Sequence, residues 1–212
     1  MENSESWYKQ IFKKVSSIYD MVLGNYIRNL FKKPSSILFL GIDNAGKTTL
    51  VKKLKHGVDE TYIPTHHPKK TEIQIGNLKA TIVDLGGHKA ARIVWTQYFF
   101  NCDGIVFIVD VSDTERFDEV REAYDQVRKL ERKAPIAVLM NKIDKVDIND
   151  FNAWSEQIKQ DVNIYDEPGC NNSQPVSVNF VSIVGDNRET LTGPLAMSFK
   201  WLEMMINKQR NG

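Results

Sequence analysis

The chain has 212 residues, 42% of them hydrophobic, and a formal net charge of +1 from 28 basic and 27 acidic side chains. Such a size and composition predict one compact domain with an ordinary apolar core. The balanced charge argues against a nucleic-acid binder and against a general membrane binder. The two cysteines, Cys102 and Cys170, lie far apart, which argues against a disulfide framework or a metal cluster and suits a reducing compartment.

The amino-terminal segment differs from the rest of the chain, because residues 1–33 carry a net charge of +3 and the remainder carries −2. Its apolar residues recur every three or four positions, at Trp7, Tyr8, Ile11, Phe12, Val15, Ile18, Tyr19, Val22 and Leu23. At about 100° per residue they fill one half of a helix. No apolar run approaches the roughly 18 residues that a transmembrane helix needs, and interleaved charges spoil a signal-peptide core. We therefore predict an amphipathic helix within residues 1–34, suited to a lipid interface or to permanent docking on the domain.

After residue 34, short β-branched runs alternate with helical patterns, which is typical of a parallel sheet flanked by helices. The predicted strands are Ile37–Leu40, Thr71–Ile75, Lys79–Asp84, Ile105–Asp110, Ile136–Met140 and Val176–Val181. The predicted helices are Lys47–His56, Thr114–Arg132, Asp150–Gln160 and Leu191–Lys208. The second and third strands are separated by three residues, so they should form an antiparallel hairpin at the sheet edge. We expect an α/β fold with a six-stranded, mostly parallel sheet, one antiparallel edge strand and helices on both faces, and a surface loop over residues 161–174.

A phosphate-binding pattern follows the first predicted strand. The pattern G-x-x-x-x-G-K-[ST] is satisfied by Gly41–Thr48, between an apolar strand and a helix. The glycines let successive N–H groups and the helix amino terminus face phosphates, while the Lys47 ammonium neutralises phosphate oxygens. We therefore predict that nucleotide is bound by Asp43, Asn44, Ala45, Gly46, Lys47, Thr48 and Thr49. Thr48 should also ligate Mg²⁺.

Two further segments are candidates for sensing the terminal phosphate of a nucleotide. The Pro-rich stretch Thr61–Pro68 should be a mobile switch loop, in which Thr65 ligates Mg²⁺ only when the γ-phosphate is present. The third predicted strand ends in Asp84-Leu85-Gly86-Gly87-His88. Here Asp84 should hold Mg²⁺ through a water, the Gly87 N–H should bond the γ-phosphate, and His88 should orient the attacking water. The alternative for His88 is an exposed loop histidine with no such role.

The base should be selected by Asn141-Lys142-Ile143-Asp144, which follows the fifth apolar strand. A carboxylate only accepts hydrogen bonds, and guanine presents two donors where adenine presents an acceptor and a C–H group, so Asp144 should select guanine. Asn141 should tie this loop to the phosphate loop, and the stem of Lys142 should cover one face of the base. The last strand exits at Ser182 and Ile183, whose backbone N–H groups should reach the guanine O6.

Together these motifs resemble the Arf/Sar branch of Ras-like GTPases, and most closely the Sar GTPases that nucleate COPII coats on the endoplasmic reticulum. The resemblance covers residues 36–206 and rests on GIDNAGKTTL, IPTHHP, VDLGGHKAARIVWTQYF, DGIVFIVDVSD and NKID. The histidine of DLGGH, with Ala91, Arg92 and Trp95 after it, separates Sar proteins from Arf proteins, which carry Gln there. Because the second residue is Glu rather than Gly, Arf-type N-myristoylation is excluded.

The resemblance implies a P-loop G domain over residues 35–208 that hydrolyses GTP to GDP with Mg²⁺, with His88, Lys47 and Gly87 as catalytic residues. It also implies that residues 1–34 insert into the endoplasmic reticulum membrane in the GTP state. The implied partners are an exchange factor on that membrane, the COPII inner coat with its GTPase-activating subunit, and lipid, with no nucleic acid. The implied location is the cytosol and the cytosolic face of the endoplasmic reticulum, with the Golgi as a further site.

Three other functions stay open at this stage: an Arf-like GTPase at another membrane, a non-hydrolysing GTP-bound adaptor, and a P-loop kinase. The intact set Lys47, Thr48, Thr65, Asp84 and His88 argues against an adaptor. The guanine pattern NKID and the absence of a recognisable acceptor-binding lid argue against a kinase.

Overall fold

The computed structural model describes residues 18, 21–55, 61–63, 70–75, 77–83, 99, 102–130, 133–169, 173–184 and 193–211. Its strands are β1 Ser35–Leu40, β2 Thr61–Ile63, β3 Lys70–Ile75, β4 Leu78–Val83, β5 Gly104–Asp110, β6 Ile136–Asn141 and β7 Val176–Val181. They form one sheet in the order β2-β3-β4-β1-β5-β6-β7. Five neighbouring strands, from β4 to β7 across that order, run parallel. The strand β3 pairs antiparallel with both β2 and β4.

The antiparallel β3–β4 hairpin is confirmed, but the predictions of six strands and of an antiparallel strand at the edge are wrong. The additional strand is β2, which lies inside the segment that we expected to be a mobile loop. It pairs with β3 from Thr61 opposite Gln74 to Ile63 opposite Glu72. The prolines suggested a loop, yet a proline favours extended backbone in the residue before it. Ile63 precedes Pro64, and the run Thr-Tyr-Ile suits a strand. These residues pair with the edge of β3 that is not bonded to β4.

The described helices are α1 (residues 21–30), α2 Lys47–Lys55, α3 Phe117–Leu130, α4 Phe151–Val162 and α5 Pro194–Asn211. Short 3₁₀ turns occupy Thr114–Arg116 and Ile143–Lys145. The start of α4 is fixed by Asp150, whose Oδ1 accepts hydrogen bonds from the N–H groups of Asn152 (3.0 Å) and Ala153 (3.2 Å). The helix ends where Asn163 adopts a left-handed conformation.

Two apolar cores lie on opposite faces of the sheet. Along β1, Ile37 and Phe39 belong to one core, while Leu38 and Leu40 belong to the other, as the two-residue repeat of a strand requires. The first core includes residues of α1, α2 and α5, and the second includes residues of α3 and α4. The helices therefore cover both faces, as predicted, and the central strands β5 and β6 are buried along their whole length.

Helix α1 is part of the first core. Leu23, Ile27 and Phe31 are almost wholly buried there, whereas Ile18 and Val22, which belong to the predicted apolar half of the amino-terminal helix, are 58% and 38% exposed. The other residues of that predicted face, apart from Leu23, lie in 1–17 or at Tyr19, outside the described part of the chain. None of the described helices has the length and hydropathy needed to cross a bilayer.

Two smaller predictions need correction. The apolar residues of the predicted helix Leu191–Lys208, Met197 among them, suggest that this helix packs on the sheet, but Met197 is exposed. Ala196, Phe199, Leu202 and Ile206 form the buried stripe of α5, and Met197 lies about 100° beyond Ala196, the nearest of them. The predicted loop over 161–174 begins inside α4. It also contains a bridge in which Glu167 and Val176 exchange two backbone hydrogen bonds of 2.8 Å.

The burial of α1 yields a stability prediction. Ile27→Ala removes a fully buried side chain and should lower the free energy of unfolding by about 2–5 kcal/mol. Val22→Ala in the same helix removes a partly exposed side chain and should change it by about 0.5 kcal/mol or less. Urea unfolding of the two variants in the GDP-bound state measures both effects. Equal stabilities of Ile27→Ala and the unsubstituted chain would show that α1 does not belong to the core.

Candidate functional site

The predicted site residues converge at the carboxyl edge of the parallel strands. The strand β1 lies between β4 and β5, so β2, β3 and β4 lie on one side of it and β5, β6 and β7 on the other. In open α/β sheets such an arrangement creates a crevice where ligands bind. The segments that follow β1, β5, β6 and β7 meet there.

The phosphate loop needs backbone conformations that few residues adopt. Gly41 and Gly46 have φ angles of 144° and 114°, and Asn44 has a φ of 61°. A Cβ atom on Gly41 would lie 2.3 Å from the carbonyl oxygen of Ile108, and one on Gly46 would lie 2.5 Å from the Nδ2 of Asn141. Both glycines are therefore required by close packing as well as by φ. Asn is among the residues that best tolerate the left-handed region.

Lys47 places a positive charge inside this loop. Its side chain is buried, and its Nζ donates hydrogen bonds to the carbonyl oxygens of Gly41 (2.9 Å) and Ile42 (2.6 Å). The first helical hydrogen bond at this end of α2 runs from the Leu50 N–H to the Gly46 carbonyl (2.9 Å). The N–H groups in the first turn of an α-helix have no acceptor within the helix, and this turn begins at Lys47. The loop and the helix start thus present both a cation and backbone donors, which suits an anionic ligand.

Asn141 joins three loops, including the predicted tie to the phosphate loop. Its Nδ2 donates a hydrogen bond to the Ala45 carbonyl (2.9 Å), and its Oδ1 accepts one from the Ile183 N–H (3.0 Å). The side chain is almost fully buried. Ala45 lies in the phosphate loop and Ile183 follows β7, so one amide group holds the loops after β1, β6 and β7 in register. The Ile183 N–H was predicted to reach the guanine O6, but in the structure Asn141 accepts its hydrogen bond.

Lys142 follows Asn141 in the left-handed conformation, with a φ of 70°. Its Nζ forms an ion pair with the Asp110 carboxylate, which also accepts hydrogen bonds from the Ser112 N–H (3.0 Å) and hydroxyl (2.6 Å). Burial by itself would raise the pKa of Asp110, but the hydrogen bonds from Lys142 and Ser112 outweigh it and hold the pKa below its usual value. The stem of Lys142 is thereby stretched along the wall of the site.

Asp144 and Ser182 are brought together, although the sequence analysis did not connect them. The Ser182 hydroxyl donates a hydrogen bond to the Asp144 Oδ1. The loop after β7 is anchored a second time from α2, because Lys53 Nζ donates to the Ile183 carbonyl (2.9 Å). The carboxylate predicted to read the base is therefore oriented by the neighbouring loop.

An open cleft of about 390 Å³ lies between these loops, within the usual range for a small-molecule site. It is lined by Asn44, Gly46, Lys47, Thr48, Thr49, Asn141, Lys142, Lys145, Ile183 and Val184. Lys145 and Val184 were not predicted. Asp43, Ala45, Asp144 and Ser182 flank the cleft without lining it. All charged side chains in its described lining are lysines, so the cleft is suited to an anion.

Arg116 is a further residue that sequence analysis missed. It lies in the 3₁₀ turn before α3, and its Nη2 contacts the Asp43 Oδ1 at 2.5 Å. The guanidinium of Arg116, chiefly through this hydrogen bond, holds the pKa of Asp43 below its usual value. The sequence did offer one indication of this position: Arg116 follows the carboxyl end of β5, and the phosphate loop follows the carboxyl end of β1 at the same edge of the sheet. Its partner, 73 positions away, is visible only in the fold.

Thr65, Asp84, Gly87 and His88 lie outside the described residues. Their predicted roles at Mg²⁺ and at the γ-phosphate stay predictions. Within the described ranges, no three His, Cys, Asp or Glu side chains are grouped closely enough to hold a metal ion.

Comparison with known proteins gives consistent results. The ADP-ribosylation factor family model matches residues 23–202. A protein of Encephalitozoon cuniculi, strain GB-M1, named small COPII coat GTPase SAR1, is 49% identical over 211 residues, which cover 97% of this chain and 96% of that protein. A protein of the same name from Giardia intestinalis is 44% identical over 117 residues, covering 54% of this chain and 61% of that protein.

A crystal structure of the Encephalitozoon cuniculi protein in complex with GDP has a TM-score of 0.88 and 48% identity to this chain, covering 99% of this chain and 96% of that one. The residues that the family model matches, 23–202, include all the segments that line the cleft. The chain therefore belongs to the ADP-ribosylation factor family and is a Sar-type small GTPase, an enzyme that binds guanine nucleotide and hydrolyses GTP.

Proposed function

We propose that this GTPase is a membrane switch that recruits a COPII coat to the cytosolic face of the endoplasmic reticulum for transport to the Golgi. The observation that carries the nucleotide part is the double hydrogen bond of Asn141, which assembles the phosphate loop and the base loops around one cleft. The coat assignment is supported by the relative named small COPII coat GTPase SAR1, which matches nearly the whole chain. The partners would be an exchange factor on that membrane and the inner coat with its GTPase-activating subunit.

In this proposal the phosphates occupy the phosphate loop. The N–H groups between Asn44 and Thr49 and the Lys47 ammonium bind the phosphate oxygens. The guanine lies between the base loops, where the Asp144 carboxylate accepts hydrogen bonds from its N1–H and amino groups. The Ser182 N–H group donates to its O6, while the Ile183 N–H stays bonded to the Asn141 side chain. The stem of Lys142, stretched toward Asp110, covers one face of the base.

Hydrolysis proceeds by in-line attack of water on the γ-phosphorus. A new phosphorus–oxygen bond forms as the bond to the GDP oxygen breaks, and the water's proton ends on phosphate. His88 orients the water, and Lys47 with the Gly87 N–H stabilises the charge on the transferring group. The hydroxyl groups of Thr48 and Thr65, with Asp84 through a water, are hard oxygen donors that suit Mg²⁺, which offsets phosphate charge when bound.

The amino-terminal helix would couple nucleotide state to the membrane. The β3–β4 turn holds the end of α1, because Asn77 Nδ2 donates hydrogen bonds to the carbonyl oxygens of Phe31 (3.1 Å) and Lys32 (3.0 Å). The Asn77 carbonyl accepts a further one from the Ser35 N–H (2.9 Å). In our proposal this arrangement belongs to the GDP state. Movement of the hairpin upon GTP binding releases the helix, and residues 1–34 then enter the lipid interface.

The base assignment predicts an exchange of specificity. In Asp144→Asn the amide donates where the carboxylate accepted, so guanine loses a bond and xanthine, which carries a carbonyl at that position, gains one. Affinity for GDP should fall by about 100-fold or more, and the variant should prefer xanthosine diphosphate. Asp147→Asn changes an exposed carboxylate three residues further on and should leave both affinities unchanged. Titration with fluorescent nucleotides measures the preference. Retained guanine preference in Asp144→Asn would refute the assignment.

The catalytic assignment predicts that His88→Gly lowers hydrolysis. GTP turnover is measured on anionic liposomes with and without purified COPII inner coat. The unsubstituted chain should be stimulated about 10³-fold or more by the coat, and the variant should bind GTP normally but lose most of that stimulation. If the inner coat fails to stimulate GTP turnover by the unsubstituted chain, an Arf-like GTPase of another membrane would be favoured. Tight GTP binding with no turnover would favour an adaptor.

The proposed coupling predicts that Asn77→Ala loosens α1. The variant loses two hydrogen bonds to the end of the helix, so a larger fraction of the GDP-bound protein should sediment with anionic liposomes. Asn179→Ala is a matched control, because it removes a side-chain hydrogen bond to Ser177 (3.1 Å) in β7, at the opposite edge of the sheet. The same liposome binding by Asn77→Ala and the unsubstituted chain would contradict the coupling.

A further inference from the structure

Arg116 reaches from the turn before α3 to the phosphate loop. Its Nη2 contacts the Asp43 Oδ1 at 2.5 Å, and its Nη1 lies 3.5 Å from the Asp43 carbonyl oxygen. The guanidinium is oriented by Glu119, whose Oε2 accepts from Nε (3.0 Å) and Nη2 (2.7 Å). One arginine thus connects the start of α3 with a residue of the phosphate loop.

This ion pair contributes little to folding. The side chains of Arg116 and Asp43 are 28% and 57% exposed, and exposed ion pairs add almost nothing to stability. A structural role would not need an arginine held in place by a second carboxylate. The position of the pair in the phosphate loop points instead to the ligand.

Asp43 is a carboxylate in a loop that must receive phosphates. The Lys47 ammonium donates to the carbonyl of Ile42 (2.6 Å), the residue directly before Asp43 in the same loop. The guanidinium of Arg116, and to a smaller extent the Lys47 charge, lower the pKa of Asp43. The P-loop lysine contacts the β- and γ-phosphates, so Asp43 lies at the end of the site that receives the terminal phosphate. Without Arg116, its carboxylate could turn to Lys47 and compete with that phosphate. In the structure Asp43 faces Arg116 and does not line the cleft.

We propose that Arg116 is a positioning residue that withholds the Asp43 carboxylate from Lys47 and from the terminal phosphate, and so favours GTP over GDP. The inference rests on the proposed binding of phosphates in this loop. GTP carries more negative charge than GDP, and carries it nearer to Asp43, so a released carboxylate penalises GTP more. Like charges a few ångströms apart near a protein surface interact strongly enough for about a tenfold effect.

The test is a double-mutant cycle read as the ratio of GTP to GDP dissociation constants at fixed Mg²⁺. Arg116→Gln should raise this ratio about tenfold, and added salt should reduce the effect because the charges are exposed. In an Asp43→Asn background, Arg116→Gln should leave the ratio unchanged, since no carboxylate remains to be released. The apparent Tm of Arg116→Gln in the GDP state should stay within about 2 °C of the unsubstituted chain.

Arg121→Gln is the matched control. Arg121 lies in α3 and also pairs with a carboxylate three positions away, that of Asp118, but its other contact is the Asp161 carbonyl of α4 rather than the phosphate loop. Its substitution should leave the nucleotide ratio unchanged.

Three other results would each point to a different role for Arg116 or for the loop. Equal losses of GTP and GDP affinity in Arg116→Gln would overturn the inference in favour of a structural role. An effect that persists with Asn at position 43 would overturn it in favour of a direct contact between Arg116 and phosphate. Failure of the unsubstituted chain to bind either nucleotide would instead refute the placement of phosphates in this loop, before the cycle begins.

Discussion

The site depends on the buried amide of Asn141, which satisfies a carbonyl of the phosphate loop and an N–H group of the loop after β7. These partners lie 96 residues before it and 42 residues after it. A buried polar group that loses its partner costs more than an exposed one, so each of the three loops is held by the other two. The same amide fills the space beside Gly46, and therefore excludes any side chain at that position.

Two of the acids near the cleft are paired with cations. Asp110 is paired with Lys142, and Asp43 with Arg116. Lys47 lies inside the phosphate loop and Lys145 lines the opening. Because the carboxylates are neutralised locally, the described lining keeps a positive potential for an anionic ligand. The acids can then position loops without repelling the phosphates.

The opposite end of the sheet holds the amino-terminal helix. Asn77 binds the carbonyl groups at the end of α1, and Arg210 of α5 donates to the Pro34 carbonyl (2.8 Å) while pairing with Asp103 at 2.8 Å. Asp103 in turn accepts from the Ser36 N–H (2.7 Å). The strand β1 therefore connects the α1 junction at its start with the phosphate loop at its end. In the proposed switch, a movement of the β3–β4 hairpin would act at both ends of β1, because β4 pairs with β1.

The sequence by itself determined the phosphate loop, the NKID segment and most strands, because each depends on local chemistry: glycine conformation, apolar runs and the donor pattern of a base. The sequence also predicted the contact between Asn141 and the phosphate loop. Tertiary structure decided the rest. Residues 61–63 became a strand because β3 offered a free edge, and Met197 turned outward because α5 packs with one particular rotation. The pairs Arg116–Asp43 and Ser182–Asp144 join residues 73 and 38 positions apart. No local pattern encodes such contacts, since they exist only after the parallel strands bring their carboxyl ends to one edge.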